Sequence, residues 1–392
     1  MIVLAGGEIV LSDRLLEGSV LIDGDRIEAI DYRPRIDPGG ASIVDASGCY
    51  IVPGFIDVHV HGIDGLDTHG GGETVAAIAN RLPRYGVTAF CPTTVACDPA
   101  DLRAVLDGVS KARATPLPGS ARVLPAHLES NFINPDYRGA QPASCLRAPS
   151  GGDREGTFSG REILDVIAAS RADVGIVTLA SELTGGLDLV AALVASGHRV
   201  SLGHSGATFD EAIAAIEAGA SHATHLFNRM PPIGHRAPGL AGAVLSRDDV
   251  AAELICDGYH VHPAMCRMAI AAKGTSGVMA ITDGTAASGL APGASARLGR
   301  QPIRVGTHAA LLPDGTLAGS SLTMDGAFRT IVEQFGFSVV NAALLCSTTP
   351  ARQMGMKGFG VLATGASADI VVLDRTLRVV RTFIGGREAY RR

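Results

Sequence analysis

The sequence predicts an α/β protein: a closed (β/α)8 barrel over residues 54–354, carrying a small β-sandwich domain made from both chain ends, 1–53 and 355–392. Strand-like and helix-like stretches alternate eight times through the middle of the chain and meet at Gly-rich corners. Six residues of metal-ligand type, His59, His61, Glu129, His204, His225 and Asp283, stand at the ends of strand-like stretches. The two chain ends, by contrast, hold short alternating strands with Gly and Asp-Gly turns.

Taken in order, MIVLAGGEIV, GSVLIDGDRIEAI and SIVDASGCYIV read as strands of the end domain. PGFIDVHVHG opens the barrel, and the strand period of two throws the imidazoles of His59 and His61 onto one face. An apolar-periodic helix over about 73–85, stopped by Gly86, leads into the strand VTAFCPTT. A helix over about 99–112 precedes the strand 121–129, and the Ser159-x-x-Glu162 capping box opens the helix before the strand 174–180. LDLVAALVASG is the helix before HRVSLGH, and Thr208-x-x-Glu211 caps the helix before ASHATH. VAAELIC and SGVMAITD complete the eight strands, after which 286–319 reads as a β-hairpin excursion able to wall or cover the site. ADIVVLD and RVVRTFIGGREAY return the chain to the end domain.

A chain of 392 residues suits a barrel with one small appendage. A net charge of −6, with Lys and Arg scattered, offers no basic stripe for nucleic acid. The N-terminal apolar run is broken by Gly6, Gly7 and Glu8, and no apolar stretch is long enough to span a bilayer, so the expectation is a cytoplasmic protein without membrane contact. Seven cysteines without a Cys-x-x-Cys pair argue against disulfides and a thiolate zinc site. They read as small buried hydrophobes.

Imidazole and carboxylate donors without thiolates suit zinc or iron(II) foremost, with manganese or cobalt as further candidates, as one or two divalent ions. A ligand shell left open to water activates that water for attack on an amide or ester carbonyl, while a nearby carboxylate carries its proton to the leaving group. Asp283 is the candidate carboxylate. A lone barrel histidine is more often a structural hydrogen-bonding group, but six ligand-type residues at strand ends favour metal. His69, His198, His235, His262 and His308 stand without such a constellation. His127 alternates with Glu129, and His222 precedes His225 by three.

PGFIDVHVHG, AHLE, SLGHSGAT, THLFNRMPP, PGLAG, DGYHV, ITDGT and LAGSSLTMDGA follow in the order found in N-acetylglucosamine-6-phosphate deacetylases, and nearly the whole chain resembles that family of the amidohydrolase superfamily. The resemblance implies a metallo-dependent hydrolase barrel in which Glu129, His204 and His225 hold the principal metal while His59 and His61 hold a second. It implies that Asp283 is the catalytic acid and base, that His260 contacts substrate, and that Asn228 and Arg236 bind the sugar phosphate. In the family that arginine enters the neighbouring subunit's site, so a homodimer is implied. The chain departs from the family after the glutamate: Ser130, Asn131 and Phe132 replace Gly-Pro-aromatic, and Gln141 replaces a histidine at a substrate-contacting position. The expected substrate is a small phosphorylated amino sugar, N-acetyl-D-glucosamine 6-phosphate foremost. The departures keep open N-acetylgalactosamine 6-phosphate, an unphosphorylated sugar or an N-acyl amino acid. A non-enzymatic scaffold is the reading from another class, and retention of every ligand and of Asp283 argues against it.

Overall fold

The computed structural model describes residues 1–31, 40–150, 156–307 and 309–392, so His308 lies outside the described residues. Eight parallel strands form the barrel: Phe55–Val60, Val87–Thr94, Ala126–Glu129, Val174–Leu179, Arg199–Leu202, His222–Ala223, Ala251–Ile255 and Val278–Ile281. The first and last strands meet through a parallel bridge between Val60 and Gly284, with the His61 amide donating to the Gly284 carbonyl at 2.8 Å. Ile56, Val58, Cys91, Ile176, Ala251, Met279 and Ile281 share one apolar cluster. They come from the first, second, fourth, seventh and eighth strands, several of which are not neighbours in the sheet, so their meeting places this cluster inside the barrel.

Local chemistry sets the helices. Ser159 and Glu162 make both bonds of a capping box at Gly160–Ala169, and Thr208 and Glu211 do the same at Phe209–Glu217. The helix expected over 73–85 instead ends at Arg81 and continues as a 3₁₀ turn over Leu82–Tyr85. Pro83 has no amide hydrogen to extend an α-helix, and Gly86, in a left-handed conformation with φ 78°, turns the chain into the second strand.

Both termini build one continuous eight-stranded sheet, ordered Arg387–Arg391, Val379–Ile384, Ile370–Leu373, Tyr50–Pro53, Ile2–Val10, Leu15–Asp23 and Arg26–Asp31, with Ser42–Asp45 alongside Ile2–Val10. Leu4, Ile9, Ile22, Ile51, Ile370 and Phe383 belong to its own apolar core. The excursion after the eighth strand is a three-stranded antiparallel sheet, Ser295–Leu298, Gln301–Val305 and Ala310–Leu311. Gln301 Nε2 donates to the Ala140 carbonyl at 2.6 Å and the Gly299 amide donates to Asp67 at 3.0 Å, which pins this sheet against the rim of the barrel.

Candidate active site

The strand ends bring the six ligand-type residues to one point. All six are buried, and each of the three that follow a shortened strand bends inward through a left-handed backbone: His204 has φ 48°, His225 φ 31° and Asp283 φ 47°. Such conformations cost on the order of 1–3 kcal/mol in a non-glycine residue and persist where the surroundings hold them. Here they stop ladder pairing early and aim the side chains at the barrel axis, so the strand carrying His225 shrinks to His222–Ala223.

Two triangles of donor atoms result. Glu129 Oε1 lies 2.8 Å from His204 Nε2 and 2.9 Å from His225 Nε2, and the two imidazole nitrogens are 3.1 Å apart. In the second triangle, His59 Nε2 and His61 Nε2 are 3.2 Å apart, at 3.3 and 3.2 Å from Asp283 Oδ1. Two ligands at 2.0–2.1 Å from a tetrahedral zinc are separated by about 3.3 Å, so both triangles have the size of a ligand face. Glu129 joins them, its Oε2 lying 3.5 Å from His61 Nε2. The donor set fits one or two divalent ions.

Partners behind the donors fix their orientation. His204 Nδ1 donates to the Tyr137 carbonyl at 2.8 Å, leaving Nε2 as the lone pair turned inward. His59 Nδ1 lies 2.9 Å from Glu253 Oε2. Gln141 accepts the Ala96 amide through Oε1 at 2.8 Å, which sets its flip, and its Nε2 donates to Glu129 Oε2. Burial pushes the pKa of Glu129 up, but the charge and hydrogen bonds of His204 and the hydrogen bond of His225 outweigh it and hold the carboxyl well below the usual range. Burial likewise opposes protonation of His225, yet hydrogen bonding to Glu129 and the carboxylates around it raise its pKa to about 9. For Asp283, burial is again outweighed, here by His59, His61 and His225, and the side chain stays a carboxylate.

A cavity of about 400 Å³ opens above the donors. His61, Glu129, His204, His225 and Asp283 form part of its lining, as do Gln141, Asn228 and His260, with Leu298 and Leu317 contributed by the excursion. His260 Nδ1 pairs with Asp257 Oδ2 at 2.6 Å, and its buried Nε2 has no hydrogen-bond partner among the described residues. Asn228 turns its amide onto the carbonyls of its own loop, His225 at 3.3 Å and Leu226 at 3.5 Å. Arg236 is exposed and is not among the residues lining this cavity. Ser130 and Asn131 do not line it either: Ser130 Oγ donates to the Thr178 carbonyl at 2.6 Å, and Asn131 Nδ2 to those of Cys97 and Cys145 at 2.7 Å.

The amidohydrolase family profile matches residues 50–389. N-acetylglucosamine-6-phosphate deacetylase of Rattus norvegicus is 37% identical over 98% of this chain and 93% of its own length. The chain belongs to the amidohydrolase family, in its N-acetylglucosamine-6-phosphate deacetylase branch. An N-acetylgalactosamine-6-phosphate deacetylase of Escherichia coli is 33% identical over 96% of the chain and 97% of its own length. Among solved structures, a Mycobacterium smegmatis N-acetyl-D-glucosamine-6-phosphate deacetylase variant in complex with N-acetyl-D-glucosamine-6-phosphate matches with TM-score 0.87 and 33% identity over 99% of both chains. The Thermotoga maritima deacetylase matches with TM-score 0.86 and 30% identity over both full lengths.

Sequence reasoning passed over three groups of this amidohydrolase site. Glu253 sits inside an apolar strand, Asp257 orients His260, and the Tyr137 carbonyl orients His204. For Glu253 a signal existed: one acidic residue in AAELI, a fully buried strand, is conspicuous because a carboxylate is not buried without a partner. A backbone carbonyl such as that of Tyr137 leaves no trace in residue identity.

Proposed function

We propose that this chain removes the N-acetyl group of an amino-sugar 6-phosphate, N-acetyl-D-glucosamine 6-phosphate foremost, releasing acetate and the amine sugar phosphate. The observation that carries the reading is the pair of donor triangles, joined by Glu129 at the floor of a polar-lined cavity. A divalent ion held by Glu129, His204 and His225, with a second on His59 and His61, supplies Lewis acidity toward the acyl oxygen and acidifies water; zinc or iron is the first choice, manganese or cobalt the second. Asp283, ionised and turned into the cavity, takes the proton of the attacking water and returns it to the leaving nitrogen. His260, backed by Asp257, presents Nε2 to the substrate.

Asn228 and Gln141 lie on the cavity wall as substrate contacts, and Arg236 supplies a fork for the phosphate. Its exposure outside its own chain's cavity supports a homodimer in which each arginine serves the neighbouring site. The working division is a catalytic barrel over 54–354 and a β unit from 1–53 and 355–392. No helix among the described residues is long and apolar enough to cross a membrane, in keeping with a cytoplasmic enzyme of amino-sugar metabolism. The substitution of Gln141 for the family's histidine favours one second reading, the galacto epimer as preferred substrate. The test is acetate release from gluco, galacto and manno N-acetyl 6-phosphates, their dephospho forms and N-acetyl amino acids. Turnover confined to the amino acids would overturn the proposal.

A further inference from the structure

We propose that Glu253 is a positioning residue for the second half of the metal site: its carboxylate holds His59 with the proton on Nδ1, so that Nε2 is the lone pair offered to an ion. The inference rests on the reading of His59 and His61 as ligands. Glu253 lies in the middle of the seventh barrel strand, Ala251–Ile255, and is 0% exposed. Its Oε2 is 2.9 Å from His59 Nδ1. On the far side of the ring, His59 Nε2 faces His61 Nε2 at 3.2 Å and Asp283 Oδ1 at 3.3 Å, within the second donor triangle. An ionised Glu253 only accepts, and the proton between it and His59 then belongs to Nδ1.

The other histidine beside Glu253 does not compete for this role. His127 Nδ1 is 3.6 Å from Glu253 Oε1 but 3.0 Å from the Val58 carbonyl, to which it donates. His127 Nε2 then accepts from the Thr178 hydroxyl at 2.7 Å. Glu253 Oε1 has no hydrogen-bond partner among the described residues, and Oε2 also receives the His225 amide at 3.4 Å. One oxygen therefore touches a residue of each donor triangle. A purely structural reason for this glutamate is weak, because a buried ionic group is commonly replaced by an apolar residue of similar volume at little or no cost in stability. Behind a metal-ligating imidazole, by contrast, a carboxylate fixes the tautomer and ring orientation, and losing it lowers metal affinity about 10–100-fold.

The experiment titrates the metal-free full chain with Zn²⁺ and Co²⁺, for wild type, Glu253→Leu and Glu253→Gln, with folding checked by circular dichroism. Wild type takes two equivalents. In Glu253→Leu the first equivalent binds within about threefold of wild type and the second about 10–100-fold more weakly. Glu253→Gln, whose amide oxygen still accepts from His59, recovers most of that loss. Histidine ¹⁵N spectra of the metal-free protein supply a reading independent of activity: His59 carries its proton on Nδ1 in wild type and Glu253→Gln. A second equivalent bound equally well by wild type and folded Glu253→Leu overturns the role of Glu253 alone, whereas a wild type that takes one equivalent overturns the two-ion reading with it. Should Glu253→Leu fail to fold, a wild-type His59 protonated on Nε2 overturns the proposal.

Discussion

The floor of the cavity and its proposed phosphate end are built on opposite plans. On the floor, His59, Glu129 and His204 are each held from behind, by Glu253, Gln141 and the Tyr137 carbonyl. At the other end, Asn228 reaches no further than carbonyls of its own loop, and Arg236 stands exposed. Metal ligation depends on donor positions to within tenths of an ångström, so the chain fixes them before an ion arrives. A phosphate dianion is captured by charge and a guanidinium fork, which tolerates a long side chain and even a second subunit as its source. The floor's donors all come from one chain, while the proposed phosphate end would draw its arginine from a second.

Removing metal tests the floor most severely. Chelation should lower kcat/KM by at least about 10³-fold, since the Lewis acid contributes several kcal/mol, and added zinc or iron should restore it. In the metal-free state His225 is raised from its ordinary 6.5 to about 9, so an ion binding at pH 7.5 must displace a proton. Calorimetry in buffers of different ionisation enthalpy should show about one proton or more released with the first equivalent, and affinity should fall as pH drops below 9. The sign for the metal-free fold is opposite. The raised pKa of His225 stabilises that fold fully below about pH 6.5, and the contribution disappears as pH rises through about 9. Metal uptake without proton release would mean that Glu129 does not hold His225 charged.

Asp283 belongs to the floor by position, and the proposed function places it in the proton path. Asp283→Asn should lower kcat by about 10² or more, because the amide can neither accept the water's proton nor deliver one to the amine. The ion proposed for Glu129, His204 and His225 should remain bound. Turnover near wild type would remove Asp283 from the proton path.

Arg236→Ala tests the proposed phosphate end. Its loss should cost about 2–3 kcal/mol in kcat/KM for a phosphorylated substrate and little for the dephospho analogue. Mixed dimers sharpen the comparison. If the arginine serves the neighbouring site, Asp283→Asn subunits combined with Arg236→Ala subunits should regain part of the lost activity. Verified heterodimers without recovery would place Arg236 in its own chain's site and make both ends complete within one subunit.

How far each region was legible in the sequence follows from the kind of interaction that builds it. Strands and helices were readable from periodicity and from the Ser159–Glu162 and Thr208–Glu211 caps, because these are local patterns. The two termini could be paired because both carried alternating strands beside a barrel already fully counted. The donor residues could be picked out by type, yet the way they face one another depends on left-handed backbones at His204, His225 and Asp283, where strand periodicity gives out. Pro83 is visible in the sequence, yet the apolar periodicity over 73–85 runs through it and hides the change from α-helix to 3₁₀ turn after Arg81. As departures from the family pattern Ser130 and Asn131 bear on substrate choice, yet their side chains bond to the backbone of neighbouring segments, a partnership that residue identity does not reveal.

Gln141 stands where the two regions meet, and the smallest effect is expected there. Its amide is occupied at both ends, with Oε1 accepting from the Ala96 amide and Nε2 donating to Glu129 Oε2, while the residue still lines the cavity. One hydrogen on Nε2 remains to be offered to a sugar hydroxyl. A histidine at this position would present a ring that can carry charge near neutral pH, which an amide cannot do. Gln141→His should therefore change the ratio of kcat/KM between gluco and galacto N-acetyl 6-phosphates by about tenfold, on the order of 1.4 kcal/mol, with the gluco form gaining. It should also loosen the hold on Glu129, and a small fall in affinity for the first metal equivalent, measured on the same variant, would report that separately. An unchanged epimer ratio with weakened metal binding would assign Gln141 to the floor. A changed ratio with metal affinity intact would assign it to the wall.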